Sequence, residues 1–295
     1  MDVRTRNLVE IHLSVVLFGL TGLFGKFISL PAPHIVLGRV FFASVSMGLY
    51  FLFRKKDVRL ARGADYAAMA AVGAVLALHW TAFYLSVKLS TVAIGVLTFA
   101  AYPIFVTFLE PFFFREKLRG ADVIAAFVMF GGVLLVVPST GAGPDMTAGM
   151  IWGMAGSISY AVMSLLNRKF VSRYEGSVVA FYEQGAAALL MFPILLFDRP
   201  HTSALDWALL AVLGVVLTGV AHSLFISGMR SVRAQTAGVI ASLESVYGIA
   251  SAALLIGEFP TLRELAGGAV ILGTAFVSTL RSSREGAEDK QGGGR

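Results

Sequence analysis

Cysteine is absent from the 295 residues of this sequence. Its absence excludes a disulfide framework, a thiolate zinc site, an iron–sulfur cluster and a cysteine nucleophile. The sequence also lacks a G-x-x-x-x-G-K-[ST] phosphate loop and a G-x-S-x-G elbow, and its five histidines are never spaced four residues apart. We therefore predict no enzyme activity, no cofactor and no metal site, with an integral membrane enzyme as a remote alternative.

Charge is scarce too, since 14% of the residues are charged and 57% are hydrophobic. Soluble domains carry charge at about a quarter of their positions, so this composition is typical of an integral membrane protein. Apolar stretches of about 20 residues cross a bilayer core as helices, and these stretches lack the alternation that membrane strands require. Ten are predicted, at 9–29, 33–53, 65–87, 91–114, 120–138, 147–168, 176–197, 205–228, 234–257 and 261–280. The predicted fold class is an all-α integral membrane protein with ten transmembrane helices.

Basic residues are distributed unevenly between the two sides of these spans. Lys26, Lys88, Arg199 and Arg263 fall on one side, while the other loops and termini carry most of the remaining Lys and Arg. The positive-inside rule predicts that both termini are cytoplasmic, which requires an even number of spans. We expect a multi-pass protein of the bacterial inner membrane whose basic excess needs no nucleic-acid partner. Membrane lipid is an expected partner, and residues 54–62 are a candidate headgroup anchor.

An internal repeat emerges when the chain is compared with itself at an offset of 142 residues, which matches Phe83 with Phe225 and Glu116 with Glu258. The second spans of the two copies need about three residues of slip. Five spans per copy is an odd number, so we predict that the copies are inverted, as in alternating-access carriers. This favours a transporter over a channel, a receptor or an enzyme. The predicted units are 1–138 (first repeat), 139–146 (periplasmic linker), 147–281 (second repeat) and 282–295 (disordered cytoplasmic tail).

These segments resemble ten-span carriers of the drug/metabolite transporter superfamily, of the EamA type, and are similar to bacterial aromatic amino-acid exporters. The resemblance rests on residues near the ends of the spans and on one arginine in the second span: Glu116, Gly257-Glu258, Gly131-Gly132, Gly273 and Arg39. The family commonly has Glu-Pro in span nine, where this chain has Glu244-Ser245. The resemblance implies two inverted five-helix repeats around a cavity that spans one, three, four, six, eight and nine line.

Polar and aromatic residues inside the spans are the candidate functional residues, because burying polar groups in hydrocarbon is costly. The predicted substrate-binding set is Phe18, His79, Trp80, Phe83, Phe99, Tyr102, Tyr160, His222 and Glu244. Aromatic rings would pack against an amphipathic solute, and Glu244 would bind its ammonium group. The alternative is that the aromatics pack in the core or face lipid and that Glu244 is an interhelical hydrogen-bond partner.

Three further residues have separate predicted roles. Pro103 is predicted as a hinge in span four. Arg39 and Glu183 are the other intramembrane charges, and we expect each to bind backbone carbonyls or to extend toward an interface rather than to pair with the other. A direct role in substrate binding is the alternative for both.

The predicted function is export of amino acids or similar small amphipathic metabolites by alternating access, with aromatic and large apolar compounds favoured. The alternative is a proton-coupled multidrug or cation exporter in which Glu244 binds proton and cation in turn. Uniport, facilitated diffusion and proton exchange remain open, because one Glu and two His can serve binding or coupling. A monomer would suffice, since one chain encloses the whole cavity, and a dimer is possible.

Overall fold

A computed structural model describes residues 3–114, 120–136, 144–232, 234–274 and 276–277, and all regular secondary structure in these residues is helical. We number ten helices in chain order, two of which contain a break and two of which contain another irregularity. They are α1 (Val3–Gly19 and Thr21–Phe27), α2 (Ala32–Phe53), α3 (Gly63–Leu89), α4 (Val92–Phe99 and Tyr102–Phe114), α5 (Gly120–Val136), α6 (Pro144–Val171), α7 (Gly176–Met191 and Ile194–Phe197), α8 (Ala204–Gly228), α9 (Ala234–Ile256) and α10 (residues 262–274 and 276–277).

Helices therefore occupy all ten predicted segments. Seven of the described helices are long and apolar enough to cross a membrane, and two shorter apolar helices, Val123–Val136 and Ile240–Ile256, lie in α5 and α9. The predicted all-α, multi-span fold is confirmed. The side on which each terminus lies and the limits of the two repeats stay predictions. Residues 139–143 of the predicted linker and the predicted tail, 282–295, lie outside the described residues, and residues 144–146 begin α6.

The break in α4 has a chemical cause in Pro103. Proline has no N–H, so Pro103 cannot donate a hydrogen bond to the Phe99 carbonyl, one turn earlier. The hydroxyl of Ser157 on α6 donates to that carbonyl instead, at 2.8 Å. The helix stops at Phe99 and resumes at Tyr102. The break is therefore at the position where Pro103 predicts a hinge, while motion at that hinge stays a prediction.

Helix α8 contains a wide turn. Residues Val215–Val220 wind as a π-helix between two α-helical segments, Ala204–Gly214 and Ala221–Gly228. Within this turn the hydroxyl of Thr218 donates to the carbonyl of Leu213 at 2.7 Å. Helix α9, by contrast, is continuous from Ala234 to Ile256.

The helices pack in the same scheme in both halves of the chain. Helix α3 packs against α6 and α7, and α8 packs against α1 and α2. Helix α1 also packs against α9, as α6 does against α4. Exchanging every helix with the one five places away leaves this scheme unchanged, as expected for two repeats related by a pseudo-two-fold axis.

Two close glycine contacts make this correspondence residue-specific. A Cβ on Gly73 of α3 would lie 2.8 Å from the carbonyl oxygen of Glu183 on α7. A Cβ on Gly214 of α8 would lie 2.7 Å from the carbonyl oxygen of Arg39 on α2. In each case only glycine allows the two backbones to approach so closely. Arg39 and Glu183 therefore occupy corresponding positions in the two halves.

Candidate functional site

The predicted substrate-binding residues lie together in the interior. All nine are buried, with relative exposures between 1% and 5%. Eight of them have aromatic or imidazole rings that, together with Phe225, form one connected set of ring contacts, and we call these nine rings the aromatic cluster. Its members are Phe18, His79, Trp80, Phe83, Phe99, Tyr102, Tyr160, His222 and Phe225.

Tyr160 of α6 lies at the centre of the aromatic cluster. Its ring centroid is 5.0 Å from that of His79, 5.0 Å from that of Phe99 and 4.7 Å from that of Tyr102. The Tyr102 ring meets it edge-on, which is a favoured geometry for aromatic pairs. One residue of α6 thus contacts α3 and both segments of α4.

Phe225 connects the two parts of the aromatic cluster and was not in the predicted set. Its ring is 5.7 Å from Phe18 and 6.4 Å from Tyr160. Phe18 in turn lies 6.5 Å from the ring of His222. The signal for Phe225 was present in the sequence, because the 142-residue offset matches it with Phe83.

Glu244 lies beside the aromatic cluster on α9. Its side chain is buried at 5% exposure, and among the described residues its carboxylate has neither a hydrogen bond nor an ion pair. It interacts electrostatically with Tyr102, Tyr160 and Arg39. The next residue, Ser245, donates to the Val96 carbonyl at 2.9 Å and so holds α9 against α4.

Arg39 differs from the expectation that it binds backbone carbonyls or extends to an interface. It is fully buried, and its guanidinium carbon lies 3.4 Å from the centroid of the Trp80 ring. Its Nε donates to the Thr218 hydroxyl at 3.0 Å, and its Nη1 donates to the Tyr84 hydroxyl at 3.1 Å. The expectation was wrong because a stacking ring and two hydroxyls, which the sequence does not reveal as neighbours, are within reach.

Glu183 differs from the same expectation. Its Oε2 is 2.9 Å from Nε2 of His222, and both side chains are buried. The side-chain amide of Asn167 donates to the same oxygen at 3.5 Å. His222 therefore carries a carboxylate partner as well as a contact with Phe18, and neither Asn167 nor this pairing was predicted.

Several polar atoms around the aromatic cluster have no hydrogen-bond partner. Buried polar atoms in folded proteins are hydrogen-bonded in the large majority of cases, so a group of exceptions indicates a place for a ligand or for water. The unpartnered atoms at or beside the cluster are Arg39 Nη2, His79 Nε2, Trp80 Nε1 and Tyr102 Oη. They come from α2, α3 and α4, and they lie in the part of the protein that also holds the carboxylate of Glu244.

Two cavities formed by described residues lie apart from the aromatic cluster. One of about 440 Å³ includes Glu10, Met47 and Ser223 in its lining, and one of about 470 Å³ includes His34 and Trp207. Within the described ranges, no group of three or more His, Asp and Glu side chains is placed to hold a metal ion.

Comparison with known proteins identifies relatives over nearly the whole chain. An uncharacterized transporter, YxxF, of Bacillus subtilis is 24% identical over 94% of this chain and 91% of its own. An S-adenosylmethionine uptake transporter of Rickettsia prowazekii is 22% identical over 94% of this chain and 93% of its own. A solved crystal structure with 20% identity superposes with a TM-score of 0.70 over 93% of this chain and 96% of that one, which shows a shared fold.

The EamA-like transporter family matches this chain twice, at residues 8–137 and 147–280. These two matches cover most of the sequence, and the relatives are transporters rather than enzymes. The expected multi-pass location in the inner membrane is confirmed with them. The chain belongs to the EamA-like transporter family.

Proposed function

We propose that this transporter exports amino acids or similar small amphipathic metabolites by alternating access. The observation that carries the proposal is a connected, buried set of aromatic rings next to a carboxylate, that of Glu244, with no partner among the described residues. Rings provide apolar contact area and faces that attract cations, while a buried carboxylate without a partner favours an ammonium group. A solute with an apolar side chain and an ammonium group matches both features.

The packing scheme supports alternating access as the mechanism. The aromatic cluster draws residues from α1, α3, α4, α6 and α8, that is, from both halves of the chain. Rocking of one half against the other would open such a cluster to each side of the membrane in turn. The break before Pro103 gives α4 a place at which it can bend without losing the Phe99 hydrogen bond.

A second candidate substrate is S-adenosylmethionine or a related compound. The relative from Rickettsia prowazekii bears the name of an S-adenosylmethionine uptake transporter. This compound has an amino-acid head, an adenine ring that can stack on aromatic side chains and a sulfonium cation that aromatic faces attract. The same site would then bind a larger member of the amphipathic class, and the direction of transport would need to be measured separately.

Counterflow into proteoliposomes tests the proposal. The purified protein is reconstituted and preloaded with tryptophan, phenylalanine, leucine, methionine, threonine or S-adenosylmethionine, and uptake of the labelled compound is followed with and without a pH gradient. We expect exchange of at least one aromatic or large apolar amino acid or of S-adenosylmethionine. Silence for all of them together with pH-driven movement of lipophilic cations would replace the proposal with a proton-coupled drug exporter. Efflux from intact cells then gives the direction.

A variant pair tests the role of Glu244. Glu244→Gln removes the negative charge with little change in shape, and we expect at least about a tenfold loss of counterflow, because an ammonium group loses a charged hydrogen-bond acceptor. Glu175→Gln is the matched control, since Glu175 is exposed and paired with Lys56 at the surface. Equal transport by wild type and Glu244→Gln would remove the carboxylate from the mechanism.

A further inference from the structure

Arg39 is a buried cation whose hydrogen-bonding capacity is incompletely used. The guanidinium group carries five N–H donors and no acceptor. Thr218 and Tyr84 each accept one hydrogen bond, and Nη2 is buried without a partner. Among the described residues no carboxylate lies within ion-pair distance of it. A fully buried charge without a counterion is costly, so this position favours an anion that arrives from outside the chain.

The guanidinium is held in a fixed orientation next to the aromatic cluster. Its carbon lies 3.4 Å from the centre of the Trp80 ring, and the two hydroxyl partners come from α8 and α3. A guanidinium stacked on a ring keeps its donors in the plane of the stack, where a carboxylate can bind to two of them. Trp80 Nε1 is also unpartnered, which adds a neutral donor near the same place.

Glu244 provides the opposite charge at the same site. It interacts electrostatically with Arg39, and neither side chain has an ion-pair partner. A simple cation would satisfy Glu244 and leave Arg39 unpaired, whereas a simple anion would do the reverse. A zwitterion whose carboxylate and ammonium groups are attached to one carbon satisfies both charges together.

Building on the proposed function, we propose that Arg39 binds the substrate carboxylate and thereby selects α-amino acids, or compounds with an intact amino-acid head, against the corresponding amines. Arg39, Trp80 and Glu244 together recognise the head group, while the remaining rings contact the side chain or base. S-adenosylmethionine has the same head group and falls within the selected class.

Pairs of ligands that differ only in the carboxylate test this proposal without changing the protein. Phenylalanine is compared with phenethylamine, and S-adenosylmethionine with its decarboxylated form, in counterflow with wild-type proteoliposomes. We expect the intact compound of the transported pair to be preferred at least about tenfold, because one charge-assisted, two-point contact is lost from the amine. Equal transport of both members of a pair would overturn the role of Arg39 and leave the proposed function standing.

Arg39→Gln provides the protein-side test. We expect transport of the intact compound to fall at least about tenfold while transport of the amine changes less than about twofold, so the preference disappears. Arg199→Gln is the matched control, because Arg199 is exposed and donates its Nε to the Leu195 carbonyl within its own helix region. Retained preference in a folded Arg39→Gln protein would overturn the proposal.

The outcomes separate the two proposals. Transport of neither amino acids nor S-adenosylmethionine by the wild type would overturn the proposed function and this inference with it. Transport of amines alone would do the same and favour the cation exporter. If Arg39→Gln fails to fold, the preference of the wild type between the members of each ligand pair decides the question.

Discussion

Arg39 and Glu183 occupy corresponding positions in the two halves, and their charges are met in different ways. Arg39 stacks on Trp80 and donates to two neutral hydroxyls. Glu183 shares a hydrogen bond with His222, which corresponds to Trp80 at the 142-residue offset. Each buried charge on the second helix of its half therefore contacts the matching residue on the third helix.

The difference between these two centres lies in the chemistry of the third-helix partner. An imidazole can carry a proton and a positive charge, so His222 can balance Glu183 within the protein. An indole cannot carry a negative charge, so Trp80 attracts Arg39 through its ring face and leaves its charge unbalanced. The shared scaffold fixes where the two charges lie, and one side-chain difference leaves only the arginine in need of an external counterion.

The largest expected effect is on the balanced centre. Glu183→Ala leaves His222 and the amide of Asn167 buried without their partner, and we expect a loss of about 3 kcal/mol in the free energy of unfolding. Denaturant titration in detergent micelles measures it. Glu175→Ala, at an exposed ion pair with Lys56, should cost less than about 1 kcal/mol. Equal losses in the two variants would show that the buried pair contributes no more than a surface pair.

The two close glycine contacts test whether the centres are structurally equivalent. Gly73→Ala and Gly214→Ala each place a methyl group less than 3 Å from a backbone oxygen on the facing helix, and we expect each to cost about 2 kcal/mol. Gly185→Ala is the control, since nothing lies within 4 Å of its added Cβ. It should gain up to about 1 kcal/mol from helix propensity. A large cost at only one of the two contacts would contradict their equivalence.

Thr218 sharpens the comparison from the arginine side. Thr218→Val preserves shape but removes the acceptor of the Arg39 Nε hydrogen bond and the donor to Leu213, so we expect a loss of about 1.5 kcal/mol. Thr274→Val is the matched control because the Thr274 hydroxyl bonds only the Val270 carbonyl of its own helix. Thermal unfolding of both variants in the same detergent provides the measurement, and an unchanged midpoint for Thr218→Val would contradict the role assigned to it.

The smallest effects are expected at α4 and α9, which occupy corresponding positions but differ in continuity. Ser157→Ala removes the donor to the Phe99 carbonyl, and we expect it to cost about 1 kcal/mol. Ser245→Ala should cost less, because the Val96 carbonyl keeps its hydrogen bond from the Ala100 amide.

A double-mutant cycle isolates the cause of the α4 break. Pro103→Ala restores an N–H that can reach the Phe99 carbonyl, so it should reduce the cost of Ser157→Ala. Additive effects of the two substitutions, measured as free energies of unfolding, would mean that Ser157 does not replace the hydrogen bond that Pro103 lacks.

The ten helices were predictable from the sequence because long apolar runs separated by polar turns leave few other solutions in a membrane. The residues of the aromatic cluster were predictable because the 142-residue offset pairs Phe18 with Tyr160 and Trp80 with His222. The partners of Arg39 and Glu183 were not, since they depend on the rotation and depth of α2 and α7. The two matching glycine contacts place α2 and α7 at an offset of 144 residues, where Arg39 aligns with Glu183.

The wide turn in α8 records a difference in length between the two halves. Before this turn, Gly214 matches Gly73, 141 residues earlier, as their contacts with α2 and α7 show. After it, Gly228 lies against Asn7 as Ser86 lies against Gly149, and both matches have the offset of 142. Helix α8 therefore holds one more residue than α3 between two fixed contacts, and its π turn absorbs that residue. In evolutionary terms, a single-residue insertion or deletion separates the histories of the two halves, and it lies at the turn that presents Thr218 to Arg39.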